Sequence, residues 1–555
     1  MRGKGNVISY LERACQRYPN RSALVGPDGE EWSFLELDAR VDWMMAGLRA
    51  EGIEAGDRVI VMVPMSLGLY QVLLAVLKLG AVAVFVDPWV GVKQIAKFSA
   101  YAEPRGFVGV GKSHLVRLFE KELRVLPVTV TTGGRFFSIP ARKTLDEVER
   151  YQGRQKVFES DLGDTALITF TGGSSGMPKG ADRTHRFLSA QHEALREAFP
   201  YEEGEVDLPM FPVFSLNNLA QGLTTVIPDM DFRDVAGVEG ARILEQIEAH
   251  GISTVTASPP FFDQLARAIE EGGAEAPRLR RIMTGGAPVS DEQLRRWREA
   301  FGETEILVVY GSTEAEPVAH VEAGERLELM AKAGPGKGYC VGRPVEAVKT
   351  KVIAIREEPV VLGEQGWRKW ELPGGEIGEL LVKGAHVCER YFRNPVATAE
   401  NKIVEDDGTV WHRMGDTGYF DEEGRFWLTG RVHSTIQRRG VLYQAQVVEQ
   451  IARGEDARIL QVAAVGLESE DQEGQLVLVI TGCEESEEGA ELVREVKARL
   501  EKEGIECDQV LWRFEGLPVD PRHHSKIDYR RLREELKGPG GLNYVESKIS
   551  SIKKG

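Results

Sequence analysis

Residues 168–180 read Ile-Thr-Phe-Thr-Gly-Gly-Ser-Ser-Gly-Met-Pro-Lys-Gly. The apolar run 166–170 reads as a buried strand that gives way abruptly to a loop of Gly, Ser and Thr. Such a loop offers backbone N–H groups, hydroxyls and one lysine within a few residues. Those are the groups that converge on polyphosphate oxygens without side-chain bulk in the way. It is not a Walker A loop, because Pro178 precedes Lys179 and Gly180, rather than Ser or Thr, follows it. Standing alone, the stretch reads equally as a flexible Gly/Ser connector.

Working outward, the chain has 555 residues, too many for one core; domains of ~100–200 residues imply about three or four folding units. A hydrophobic share of 42% with 28% charged residues fits a water-exposed globular protein. The formal net charge of −17 argues against general binding to nucleic acid or to anionic membrane. Cys15, Cys340, Cys388, Cys483 and Cys507 form no CxxC pair, which points to a reducing compartment and away from a metal cage. The N-terminus runs into a charged amphipathic segment rather than a signal-peptide core, and no run approaches 18 apolar residues, so a cytoplasmic location is expected.

Residues 7–18 and 34–50 have helical spacing. A βαβ pattern follows, with strands at 57–63 and 81–87 around a mostly apolar helix at 67–79. Further strands are expected at 107–110, 126–130, 208–214, 222–227, 254–260, 279–284 and 305–310, and helices at 188–199, 241–250 and 262–271. Near-continuous apolar strands alternating with helices indicate a parallel sheet covered on both faces. Ligands of such sheets sit beyond the carboxyl ends of the strands, which makes the loops after 284 and 310 candidates to share a site with 171–180. From 348 the texture changes to shorter alternating strands, and beyond Arg431 a compact α/β unit begins, with strands near 460–466, 475–481 and 509–514 and a helix at 490–503. The expected domains are 1–430, 431–537 and a loosely ordered tail, 538–555, containing Gly-Pro-Gly-Gly.

The loop at 171–180, Tyr-Gly-Ser-Thr-Glu at 310–314, Gly-Asp at 415–416, Gly-Arg at 430–431 and a lysine near the C-terminus occur in one order. That order resembles the adenylate-forming superfamily of acyl-CoA synthetases, luciferases and peptide-synthetase adenylation domains. The resemblance implies an α/β fold with a large N-terminal domain of parallel-rich sheets, a β-rich subdomain and a small mobile C-terminal domain. It implies activation of a carboxylate with ATP and Mg²⁺, giving an acyl-adenylate and pyrophosphate. Thr171, Gly172, Gly173, Ser174, Ser175, Gly176 and Lys179 then match the β- and γ-phosphate loop. Gly285, Gly286, Ala287 and Pro288 match the adenine-side loop, followed by Tyr310 and Gly311. Thr313 matches a phosphate-contacting hydroxyl and Glu314 the Mg²⁺ ligand. Asp416 matches the carboxylate that takes the ribose hydroxyls, Arg431 the arginine near ribose and α-phosphate, and Lys526 the catalytic lysine carried by the small domain.

The plain alternatives are a turn cap for Asp416, a solvated carboxylate for Glu314 and a basic surface for Lys526; ordered recurrence of the motifs overturns these three. It leaves His412, His523 and His524 as structurally satisfied or exposed histidines and the Trp367–Trp370 pair as packing. Gly172 stands where the family usually has Ser, and Ser525 where it usually has Gly. His433 occupies the hinge position, usually Asp or Lys in thioester-forming members, and Gln437-Arg-Arg-Gly replaces the pattern that follows it in CoA ligases. Phe85-Val-Asp-Pro, Thr225-Val-Ile-Pro-Asp-Met-Asp, Cys340-Val-Gly-Arg-Pro-Val, Trp411-His-Arg-Met-Gly-Asp and Asp520-Pro-Arg-His-His-Ser-Lys-Ile are similar to the β-lactone synthetases of bacterial long-chain olefin biosynthesis. That resemblance implies a β-hydroxy fatty acid whose own hydroxyl attacks the acyl-adenylate. It also implies work beside a condensing enzyme, a ketone reductase and a decarboxylase. An acyl-CoA ligase, an acyl-AMP ligase loading a carrier protein and a non-catalytic adenylate-fold sensor stay open as alternatives. The stretch 211–221 and the loops around Ser258 and Thr284 are expected to line the acyl pocket, and His433 is a candidate base for ring closure.

Overall fold

The computed structural model describes residues 3–86, 91–133, 141–171, 178–272, 276–454, 456–467, 474–482, 486–519, 527–537 and 545–546. The chain divides into two compact units: Met1–Val318 with Val345–Lys349 and Lys383–His412, and Ala319–Pro344 with Thr350–Val382 and Arg413–Gly555.

The first unit holds two sheets among the described residues. One runs Lys143–Thr144, Val128–Thr131, Gly106–Gly109, Arg58–Met62, Val82–Val86, Thr165–Thr171 and Lys179–Thr184 in spatial order. Its pairings are parallel until the last, where Thr165–Thr171 turns back on Lys179–Thr184. The helix Leu67–Lys78 is apolar almost all round and is accordingly buried on nearly every side. Its one cation, Lys78, is matched by Asp42 at 2.6 Å and Asp38 at 3.1 Å on the helix Phe34–Ala50. In the second sheet Ser22–Val25, Thr224–Val226, Val206–Pro209, Thr254–Ala257, Arg281–Gly285 and Glu305–Ser312 run parallel, with Glu31–Ser33 antiparallel at the edge.

The expected strand at 208–214 is corrected. It stops at Pro209, and a helix, Pro212–Gln221, takes over. Pro212 in the first turn gives up no needed N–H and has a helical φ, and Gly222 at φ +78° ends the helix. The segment reads as apolar because its polar side chains turn inward: Asn218 donates to the buried Asp207 at 2.6 Å, and Asn217 contacts His192 at 2.8 Å. The other expected strands and helices of this unit fall within a few residues of observed elements.

In the second unit Lys349–Ile353, Gly378–Lys383, Val410–Phe420, Phe426–Arg431 and Tyr339–Pro344 lie in that spatial order. Buried Arg413 is held by Glu379 at 2.6 Å and by the Glu358 carbonyl at 2.9 Å, so its charge is compensated where it is desolvated. Lys351 and Arg356 cover the Trp367 and Trp370 rings, 5.1 Å and 4.7 Å from the centroids. Farther along, Gln461–Leu467, Gln475–Thr481, Gln509–Trp512 and Val545–Glu546 form another sheet. It packs with helices Ala445–Arg453 and Ser486–Lys502 around Val448, Leu478, Leu492 and Trp512. The last strand, Val545–Glu546, lies within the stretch expected as a tail and pairs with Gln509–Trp512.

Candidate active site

The stretch 171–180 is flanked by two antiparallel strands, Thr165–Thr171 and Lys179–Thr184. Thr171 pairs in register with Lys179, so one end of each strand fixes each end of the loop. Gly172, Gly173, Ser174, Ser175 and Gly176 lie outside the described residues, as does the side chain of Thr171. What surrounds the loop is built closely. Phe392 N donates to the Gly180 carbonyl at 2.8 Å and Asn394 Nδ2 to the Pro178 carbonyl at 2.9 Å. A Cβ at Gly180 would come within 2.6 Å of the Phe170 ring, so glycine is required by packing there. Lys179 Nζ is 3.9 Å from Glu400, and Lys179 is 22% exposed, a loose pairing that leaves the ammonium open to an anion.

Three neighbouring parallel strands, Thr254–Ala257, Arg281–Gly285 and Glu305–Ser312, end side by side. After the middle one, Gly285 lies against the Val309 carbonyl, which a Cβ would meet at 2.5 Å, and Gly286 takes φ +78°. Ala287 and Pro288 then lead to Ser290, which caps the helix Asp291–Phe301 through a reciprocal bond with Gln293. The buried hydroxyl of Thr284 has no hydrogen-bond partner among the described residues. Groups of that kind are what a bound ligand satisfies.

Beyond Tyr310, Gly311 makes room for a tight return in which its Cβ position is 2.9 Å from the Ala315 carbonyl. Arg183 Nε and Nη2 donate to the Thr313 carbonyl at 3.2 and 2.7 Å, and Cys388 N donates to the Glu314 carbonyl at 2.7 Å. The turn is therefore fixed through its backbone. The Glu314 side chain is half-buried, and Tyr391 donates its hydroxyl to Oε1 at 2.8 Å. Burial alone would raise its pKa, but the positive charges of His412 and Lys402 and the Tyr391 hydroxyl outweigh burial, and the carboxyl stays below its ordinary value. Lys402 is itself buried, donates to the Cys388 carbonyl and lies 5.3 Å from the Tyr391 ring centroid. Two residues on, burial pushes Glu316 up to about 7 against the pull of Arg183.

The second unit carries two more of the expected residues. Asp416 and Arg431 are cross-strand neighbours, and Arg431 Nη1 donates to Asp416 Oδ1 at 2.6 Å. Asp416 is 7% exposed and the Arg431 side chain 44%, so the carboxylate is anchored within the protein while the arginine is partly exposed. Gly415, at φ +66°, turns the backbone just before Asp416. His433 is exposed in the one-turn helix Val432–Ser434, with its carbonyl 3.4 Å from Arg533 Nη2.

Residues 11–392 match the family described as AMP-binding enzyme. That span is more than half of the chain. The chain belongs to the AMP-binding enzyme family. It is 35% identical over 511 residues to an olefin beta-lactone synthetase of Stenotrophomonas maltophilia (strain K279a), covering 90% of each chain. To an olefin beta-lactone synthetase of Xanthomonas campestris pv. campestris it is 34% identical over 553 residues, 95% of this chain and 96% of the other. Among solved structures, ATP-bound MatB from Rhodopseudomonas palustris superposes with a TM-score of 0.77 at 22% identity, over 96% of this chain and 99% of that one. The fold is the adenylate-forming α/β fold.

As an AMP-binding enzyme the chain is an AMP-forming, ATP-using ligase. The first unit brings Gly285, Gly286, Ala287, Pro288, Tyr310, Gly311, Thr313 and Glu314 to the ends of adjoining strands, and Lys179 to the start of the second strand that flanks 171–180. Lys526, His523 and His524 lie outside the described residues. Sequence reading missed Arg183, Tyr391 and Lys402, which hold the Glu314 turn. No spacing ties 183, 391 or 402 to 314, and only Tyr391, in Arg390-Tyr-Phe-Arg-Asn-Pro, sits in a turn-marked stretch. Among the described residues no group of three or more His, Cys, Asp or Glu could hold a metal by itself, and no helix is long and apolar enough to cross a membrane.

Proposed function

We propose that this enzyme activates a β-hydroxy fatty acid with ATP and closes it to a β-lactone. The observation that carries the reading is the near-full-length likeness to two olefin beta-lactone synthetases. In the first step a carboxylate oxygen bonds to the α-phosphorus as the bond to pyrophosphate breaks. In the second, the β-hydroxyl oxygen bonds to the acyl carbon and gives up its proton, and the acyl–oxygen bond to AMP breaks. An internal nucleophile needs only a bound geometry that sets hydroxyl and carbonyl face to face.

The roles follow the motifs. Thr171, Ser174, Ser175 and the amides of Gly172, Gly173 and Gly176 hold the terminal phosphates, with Lys179 and Thr313 beside them. Gly285–Pro288 and Tyr310-Gly311 bound the adenine, whose close approach the missing side chains permit. Asp416 accepts from the ribose hydroxyls, and Arg431 lies near ribose and α-phosphate. Lys526, in a small domain at 431–537, donates to the developing charge of the first step. Glu314 fits Mg²⁺, an ion held by one or two carboxylates while substrate phosphates supply further oxygens, and its carboxyl is kept ionised. Bound there, Mg²⁺ neutralises phosphate charge that would otherwise repel the attacking carboxylate.

The test is a product assay with ATP, Mg²⁺ and a long-chain β-hydroxy acid, with and without CoA. The same acid without its hydroxyl is the control. AMP plus a neutral product lighter than the acid by one water, formed without CoA, is the expected result. Thioester formed from either acid, and only with CoA, would instead make this an acyl-CoA ligase.

A further inference from the structure

One face of the first unit departs from the acidic character of the chain. Residues 91–143 hold ten Lys and Arg against three Glu and no Asp, an excess of seven positive charges in a protein of net charge −17. The helix Val92–Tyr101, the 3₁₀ helix Gly111–Leu118 and the short helix Lys121–Arg124 come from this stretch and pack on one another. We propose that their outward surface docks on an anionic lipid bilayer. The inference goes beyond the acid-activating reading and does not depend on it.

All three helices cover one side of the first sheet. Ile95, Phe98, Val116 and Leu123 turn inward and share a buried cluster with Ile168 and Phe170, so the surface lies over the flank that leads into the stretch 171–180. Side chains on the opposite faces of the same helices reach solvent. On Val92–Tyr101 these are Val92, Lys93 and Lys97, the two lysines one turn apart. Leu118 and Phe119, each 46% exposed, stand at the end of the second helix, and Val125, 76% exposed, follows the third. Arg124 Nε donates to the Leu118 carbonyl at 3.0 Å, which sets a cation against the apolar pair. Single exposed apolar residues are ordinary; here they are gathered among cations.

Those cations are poorly neutralised from within the protein. Lys93, Lys97 and Lys112 are exposed and make no ion pair among the described residues. Lys121 meets its neighbour Glu122 at 3.7 Å, between two exposed side chains. Beneath them Arg117 is buried against uncharged partners, the Leu123 carbonyl at 3.2 Å and His114 Nδ1 at 3.2 Å. Burial and the Arg117 charge push His114 down to about 4, so its ring is neutral and the guanidinium adds to the positive potential above it. Lysines open to solvent with apolar side chains between them fit an anionic bilayer: lipid phosphates take the cations, and the apolar residues enter the boundary below the headgroups. A nucleic acid would match the charge but offers no apolar layer to Phe119 and Val125.

The experiment sediments the full-length enzyme with vesicles of phosphatidylcholine alone, and of equimolar phosphatidylcholine and phosphatidylglycerol, at low and high salt. The expected result is partition onto the anionic vesicles that salt weakens, with little onto phosphatidylcholine. One lysine near an anionic surface contributes about 5-fold in partition. The double variant Lys93→Glu/Lys97→Glu should therefore lower the partition coefficient by at least ~20-fold. Phe119→Ser combined with Val125→Ser should lower it as well. Both variants change exposed side chains, so their melting temperatures should match the wild type's, which separates lost docking from lost folding. Equal binding to both kinds of vesicle, or anionic binding that neither variant weakens, would overturn the proposal. So would binding to neither, the result expected if this face serves an acidic protein instead.

Discussion

The hydroxyl of Tyr391 reaches Oε1 of Glu314 while Lys402 lies over the Tyr391 ring, so one aromatic residue joins the acidic turn to a buried cation. With Glu314 as the proposed Mg²⁺ ligand, that bond decides which carboxylate oxygen is presented and in what direction. A hydrogen bond to a charged group contributes roughly 1.5–3 kcal/mol. Tyr391→Phe is therefore expected to raise the Mg²⁺ concentration for half-maximal ATP–pyrophosphate exchange by about 10-fold or more. An unchanged Mg²⁺ titration would remove Tyr391 from that role. Lys526→Ala is expected to lower the same exchange by at least ~100-fold, the scale of a lost donor to developing charge; unchanged exchange would end the catalytic assignment of Lys526. The motif residues were legible one by one because each belongs to a short local pattern. Arg183, Tyr391 and Lys402 were not, since their relation to Glu314 exists only after strands and loops distant in sequence have packed.

Among the elements, the helix Pro212–Gln221 is the one the sequence misrepresents. Its start looks like the continuation of an apolar strand, and its two asparagines look like loop residues. Folded, Asp207 accepts from Thr254 at 2.5 Å and from Asn218 at 2.6 Å, and burial pushes its carboxyl up to about 6. Removing a donor from a buried acceptor costs about 1–3 kcal/mol. Asn218→Ala should destabilise the protein by that amount and speed amide exchange first in 212–221, read by hydrogen exchange with mass spectrometry. Exchange that rises uniformly along the chain, or not at all, would contradict this pinning. The parallel strands, by contrast, were readable because burial on both faces demands continuous apolar runs, and their carboxyl ends carried the candidate loops where the topology requires them.

Across the whole molecule, order of motifs carried more than any single one: a Gly/Ser loop alone is a connector, whereas five motifs in sequence describe an AMP-binding enzyme. Where one compact unit gives way to the other was less legible, because both are interleaved along the chain. The second unit also carries a pH-sensitive group. Burial pushes Glu449 up to about 7, against bonds donated by Ala464 N at 2.9 Å and the Tyr529 hydroxyl at 2.7 Å. The folded state thus holds a proton that the unfolded state has released, and stability from this group falls as pH rises from the usual carboxylate range through about 7. Glu449→Gln keeps the accepting oxygen and should flatten that fall, by at most ~1.4 kcal/mol per pH unit, in thermal melts across the window. Parallel melting curves for both proteins would refute it. The central claim is that the carboxylate is adenylated and the β-hydroxyl then closes the ring, and heavy oxygen placed in the β-hydroxyl tests it most directly. The label is predicted to stay in the lactone ring and leave AMP unlabelled; label in AMP would mean that the hydroxyl, not the carboxylate, had been activated.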